Sequence, residues 1–191
     1  MTPDMDVLPL FHRTLTRFGS LVHEIPADGW SGSTPCTEWD VRALVNHLVG
    51  EIRWMVPLFD GMSVADVGDT LSGDLLGDDP VATWDEAASA VVATVDAPGA
   101  MAGTIRFTRR ETTGAGYTTE VFCDLAIHGW DLARAIGADE TIDADIVQIV
   151  DDIMRPTVEP MKASGMYGPV VTPPEGADAQ TRLLALLGRV A

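Results

Sequence analysis

Positive charge is scarce in this sequence. Twelve lysines and arginines stand against 29 aspartates and glutamates, which leaves a formal charge of −17. So acidic a surface is repelled by phosphate backbones and by anionic lipid, so neither nucleic acid nor membrane is an expected partner. Cysteine is scarcer still. Cys36 and Cys123 are two in 191 residues, too few for a disulfide framework. Aromatic residues make up 6% of a chain that is 46% hydrophobic and rich in Ala and Val, a composition that suits helices better than a β-sandwich. Long apolar runs are also missing, each being broken by charge, so no transmembrane span is expected. The acidic start, Met1-Thr2-Pro3-Asp4-Met5-Asp6, lacks the basic region of a secretory signal, and the chain reads as cytoplasmic. The length suits one domain with a sizeable core, and neither an internal repeat nor a dividing linker is visible, so residues 1–191 are expected to form a single domain.

What is present is helical periodicity. Leu8, Phe11, Leu15, Phe18 and Val22 recur every three or four positions between about Asp6 and Ile25, the stripe of an amphipathic helix. His12 and His23 at its margins read as surface or half-buried residues. A loop dense in breakers follows, and Thr37-Glu38-Trp39-Asp40 opens a second helix with Thr37 as the expected N-cap. Val41, Leu44, Val45, Leu48, Ile52 and Met55 give that helix its apolar face, with His47 beside it and Pro57 ending or kinking it. The acidic, Gly-rich stretch 61–79 is long for a connection in a compact domain and is expected over the mouth of the bundle. Asp79-Pro80 starts a third helix on Trp84, Ala87, Val91 and Val95. Residues 100–116 read as a crossover loop with a short extended piece at Thr104–Arg106 and breakers at 112–116. Further on, Asp143 is expected to cap a helix reaching about Pro156, residues 165–174 form an extended proline-bounded segment, and a last helix runs over 178–189.

Between these lies the segment that carries chemistry. Val121, Leu125, Leu132 and Ala135 recur at helical spacing and place Asp124 and His128, four apart, on one face. Asp131 stands one turn past His128. Polar groups in so apolar a helix need a partner or a metal, because buried charge is costly when uncompensated. Cys123 points about 100° around the helix from Asp124 and reads as core. Cys36, ahead of a helix N-terminus, reads as structural, with its thiol pKa drawn down if the sulfur reaches that end. Trp39, Trp54, Trp84 and Trp130 read as core or cleft walls.

Three segments taken together carry a resemblance: residues 34–48 (TPCTEWDVRALVNHL), 124–133 (DLAIHGWDLA) and 182–189 (RLLALLGR). They resemble the DinB/YfiT-like superfamily, in its actinobacterial branch around the N-terminal domain of mycothiol-dependent maleylpyruvate isomerase, over nearly the whole chain. The resemblance implies an all-α fold, a DinB-like four-helix bundle with long crossover loops and a C-terminal helix. It also implies a metal site at one end, whose family ligands fall here on His47, Asp124 and His128. The acidic position is more often Glu in the family, one methylene longer. Two imidazoles and a carboxylate from neighbouring helices leave an open coordination position; zinc is the first expectation, and nickel accepts the same donors. Asp131, Asn46 and Arg42 are candidates to bond the outer edges of the ligands, although Asp131 reads equally well as a surface carboxylate.

The expected activity is that of a thiol-dependent transferase or isomerase. Mycothiol or a similar low-molecular-weight thiol, held as thiolate at the metal, would attack a small electrophilic substrate in a pocket shaped by loops 61–79 and 100–116. Homodimer formation through an apolar helix face is a further expectation. Two other readings stay open: a non-catalytic bundle that binds metal or ligand, and a metal-dependent hydrolase, for which spacing shows no general base. The isomerase has an additional C-terminal domain with no counterpart in this sequence, so maleylpyruvate isomerisation itself is not expected.

Overall fold

The apolar stripe near the N-terminus becomes helix α1 (Val7–Glu24), started by Asp6, whose carboxylate accepts from the Leu8 amide at 3.2 Å. The computed structural model describes residues 5–158 and 171–191, and over these the chain is dominated by helix. Next come α2 (Val41–Phe59), a single turn α3 (Val64–Val67) and α4 (Pro80–Val95). A two-stranded antiparallel hairpin follows, β1 (Thr104–Arg106) and β2 (Glu111–Thr113), with Ile105 opposite Thr112. Helix α5 (Gly114–Ile136), α6 (Ala144–Met154) and α7 (Ala179–Leu186) complete the described elements. Among the described residues no helix is long and apolar enough to cross a membrane.

Residues 5–138 form one compact unit. In it α1 and α2 each pack against both α4 and α5, the arrangement of a four-helix bundle. Side-chain pairs give the helix directions. His12 meets Asp96 and His23 meets Asp85, each at 2.9 Å, so α1 and α4 are antiparallel. His47 meets Asp124 while Phe59 stacks with Tyr117, so α2 and α5 are antiparallel too. The core they enclose includes Phe11 and Phe18 of α1, Leu44, Leu48 and Ile52 of α2, Trp84 of α4, and Phe122 and Trp130 of α5, all buried. Each such burial contributes about 1.5–3 kcal/mol to holding the four helices together.

Local chemistry moves several boundaries from their expected places. Asp40, not Thr37, caps α2, its carboxylate accepting from the Ala43 amide at 2.8 Å. Residues 36–39 are instead folded into a turn, closed by Trp39 N–H to the Cys36 carbonyl at 2.8 Å. Pro57 sits inside α2 without ending it; so near the C-terminus it removes one helical hydrogen bond and no more. The breaker run at 112–116 ends β2 and opens α5 at Gly114, where the Thr113 hydroxyl accepts from the Gly116 amide at 3.0 Å and caps the helix. Asp143 holds the cap position of α6 without a capping hydrogen bond from its side chain, and that helix stops at Met154. The long connection is fastened along the flank of α2: Arg42 donates to Asp74 and the Gly77 carbonyl, Asn46 to the Gly73 carbonyl, and Arg53 to that of Leu75.

The described residues from 139 onward belong to a second compact unit. Within its described part α6 packs on α7, burying Ile146, Val150 and Leu184, and Gln180 ties the segment ahead of α6 by accepting from Ile142 N–H and donating to the Glu140 carbonyl. Of the extended segment expected at 165–174, residues 165–170 lie outside the described residues.

One glycine is required where hairpin and bundle join. A Cβ on Gly114 would lie 2.0 Å from the Ala100 carbonyl oxygen, and the Gly114 amide donates to Gly103 O at 2.8 Å. Gly114→Ala is therefore expected to lower stability by about 1–3 kcal/mol despite alanine's better helix propensity, since backbone must move to admit the methyl. Denaturant unfolding of the variant checks this, and an unchanged midpoint would contradict it.

Candidate metal centre

Helix α5 presents Tyr117, Asp124, His128 and Asp131 along one face at spacings of seven, four and three residues. Helix α2 runs antiparallel beside it and presents His47 and, one turn on, Glu51. The His47 ring meets Asp124 Oδ2 through Nε2 at 3.2 Å, and donor atoms of His47, Asp124 and His128 all lie within 4.8 Å of one another. The shorter aspartate thus reaches its partner across the helix interface.

The remaining wall is an irregular loop that one threonine organises. Thr34 Oγ1 donates toward the carbonyls of Cys36 (3.1 Å) and Trp39 (2.8 Å) and accepts from the Cys36 amide at 3.1 Å. So pinned, the loop lays Trp39 over both histidines, with ring centroids 4.7 Å from His47 and 5.6 Å from His128. It also delivers the Cys36 sulfur to 3.3 Å from Asp131 Oδ2 and 3.8 Å from His128 Nδ1.

Exposure falls steeply across the cluster. The side chain of Asp124 is 36% exposed, His47 26%, His128 11% and Asp131 0%. The outer groups therefore face entering molecules, while the inner pair sets geometry. Asp131 Oδ2 accepts from His128 Nδ1 at 2.9 Å, which leaves the lone pair of the neutral ring on the opposite nitrogen, Nε2. Glu51 lies near the other ring but beyond hydrogen-bond reach, with Oε1 4.0 Å from His47 Nδ1.

Two acidities in the outer group are displaced. Burial, the largest influence on His47, lowers its pKa, but the hydrogen bond to Asp124 and the charges of Asp124 and Glu51 outweigh it and the net shift is upward. Glu51 is raised by burial first and by the charge of Asp124 second, against a smaller pull from His47. Cys123, buried beside Asp124, has its thiol pushed up to about 12, first by burial, and is inert core as expected.

The structure therefore assembles His47, Asp124, His128 and Asp131. It does not bring in Asn46 or Arg42. Their side chains hold the connection after α3, Asn46 also accepting from the Leu75 amide, and one residue of offset on a helix turns Asn46 about 100° from His47. Glu51, Cys36 and Trp39 are additions. Glu51 is signalled in the sequence by its four-residue spacing from His47; the other two depend on a loop conformation that no periodicity encodes.

Two imidazoles and a carboxylate converging from antiparallel helices, with an outer carboxylate on one ring, form a donor set that could hold a divalent ion, and the residue types present fit one. The chain belongs to the mycothiol maleylpyruvate isomerase N-terminal domain family, whose family model matches residues 11–133. It is also similar to uncharacterized proteins of Mycobacterium tuberculosis, from strains CDC 1551 / Oshkosh and ATCC 25618 / H37Rv. Each is 28% identical over 146 residues, covering 74% of either chain. No solved structure matches it.

Two outcomes follow from the geometry. Asp131→Asn is expected to weaken metal binding by about 10- to 100-fold, read by titration of chelator-treated protein with zinc. The second concerns pH. The folded chain holds the His47 proton more tightly than the unfolded chain, where the ring titrates at its ordinary 6.5. Metal-stripped protein is thus stabilised below that pH and loses this contribution as pH rises through the higher folded value. Zinc affinity rises over the same range, because the ion needs the neutral ring. Thermal midpoints of stripped wild type and Asp124→Asn across this window check the cause: the variant's slope should be the smaller, and equal slopes would contradict it.

Proposed function

We propose that this protein is a metal-dependent transferase or isomerase that joins a low-molecular-weight thiol, mycothiol in the first instance, to a small electrophile. The observation that carries this reading is the convergence of His47, Asp124 and His128 in a cluster that opens to solvent at His47 and Asp124 and is closed at its inner edge by Asp131. Membership in a family described by mycothiol chemistry supports the choice of thiol.

His47, Asp124 and His128 would hold a divalent ion, zinc first and nickel second, which when bound lowers the pKa of a thiol reaching its open position. The chain's own residues do the rest. Asp131 keeps the His128 proton on Nδ1 and so keeps Nε2 available. Trp39 covers the two rings and limits the water that reaches them. Glu51, with its pKa raised by burial and by Asp124, takes up the proton that the thiol gives off.

The test is consumption of mycothiol, with cysteine and glutathione as comparisons, against an electrophile such as monochlorobimane. Chelator-treated protein and zinc-reloaded protein are assayed in parallel. Turnover should return with the metal, depend on the thiol, and drop to the uncatalysed rate in His128→Ala together with loss of the ion. Metal-loaded protein that never exceeds the uncatalysed rate with any thiol rejects the reading. Glu51→Gln should lower turnover while leaving zinc affinity nearly unchanged.

A further inference from the structure

We propose that Cys36, His128 and Asp131 form a second berth for a thiophilic divalent ion, competing with the His47–Asp124–His128 set for one imidazole. Three different donor atoms meet here: Cys36 Sγ, His128 Nδ1 and Asp131 Oδ2, separated by 3.8 Å (S to N), 3.3 Å (S to O) and 2.9 Å (N to O). For metal bonds of about 2.0–2.3 Å in tetrahedral array, neighbouring ligand atoms lie roughly 3.3–3.6 Å apart. Side-chain shifts of a few tenths of an ångström therefore convert the hydrogen-bonded trio into a ligand set. Asp131 is wholly buried and His128 nearly so, while Cys36 is half-buried on the loop, which leaves the ion an entrance on the sulfur side.

The competition follows from the chemistry of the ring. A neutral imidazole has one lone pair on nitrogen and one N–H. With the proton on Nδ1, held by Asp131, the lone pair on Nε2 serves the first set. With the proton moved to Nε2, the lone pair on Nδ1 serves the second. An ion entering the second berth releases the thiol proton of Cys36 to solvent, and the imidazole proton passes from Nδ1 to Nε2; no oxidant or reductant is needed. The first berth offers nitrogen and oxygen alone, whereas the second adds thiolate, so soft ions favour the second. This inference stands apart from the thiol-transfer reading, since a protein without turnover would give the same spectra.

Cobalt(II) is the probe, because cobalt–thiolate bonds give a near-ultraviolet charge-transfer band. Full-length, chelator-treated protein is titrated with cobalt alone as His47→Ala and as Asp124→Asn, two variants that remove a ligand of the first berth only. Both are expected to bind stoichiometric cobalt with the thiolate band. Adding Cys36→Ser to either should abolish the band, while adding Cys123→Ser should leave it. Folded single variants, verified by circular dichroism, that show no band at saturating cobalt would mean a hydrogen-bonded trio only and overturn the proposal. A band present in wild type but lost in both single variants would place Cys36 in the first set and overturn it equally.

Discussion

The hydrogen bond between His128 and Asp131, 2.9 Å long and formed within one turn of α5, is the contact on which the rest of the site depends. Asp131 has no exposed surface, and removing an ionised carboxylate from water costs several kcal/mol unless hydrogen bonds replace its hydration. The imidazole N–H and the Cys36 thiol both supply such bonds, to the same oxygen, Oδ2. In doing so they determine the tautomer of His128 and the direction in which its second nitrogen points. A ring free to rotate would offer either nitrogen to either side.

The antiparallel packing of α2 on α5 gives this arrangement its outer half. Because the helices run in opposite senses, the loop before α2 reaches the C-terminal half of α5, and the middle of α2 faces Asp124. Phe59 at the far end of α2 stacks with Tyr117 near the start of α5, while Tyr117 meets Phe107 of the hairpin edge to face. Acidic groups also meet here. Glu51, Glu120 and Asp124 act on one another closely enough to raise Glu51, and Arg110 answers Glu120 with a bidentate pair.

Helices, their buried faces and the shared face of Asp124 and His128 were legible in the sequence because each rests on short-range geometry. A residue four positions from another on a helix shares its face whatever the surroundings, so Asp124 and His128 could be paired before any fold was known. The family likeness then added His47 from a distant segment, which spacing alone could not. The errors have the same physical origin. Asn46 is adjacent to His47 in sequence but about a third of a turn away in space, and Arg42 lies on its side of α2, so both serve the connection instead. Thr37 looked like a cap because residue type favours it, but the turn closed by Trp39 and Cys36 passes that role to Asp40.

Composition and periodicity by themselves determined that this chain would be acidic and helical, with an amphipathic stripe on each bundle helix and a polar face on α5, since these depend only on residue type and helical pitch. The tertiary structure alone decided that Cys36 and Trp39 belong to the site. Their loop has no period to read; its path is set by the three hydrogen bonds of Thr34 and by the approach of α2 to α5. Whether a cysteine is remote from a histidine or in contact with it is a matter of two helices meeting, and no local rule contains that distance.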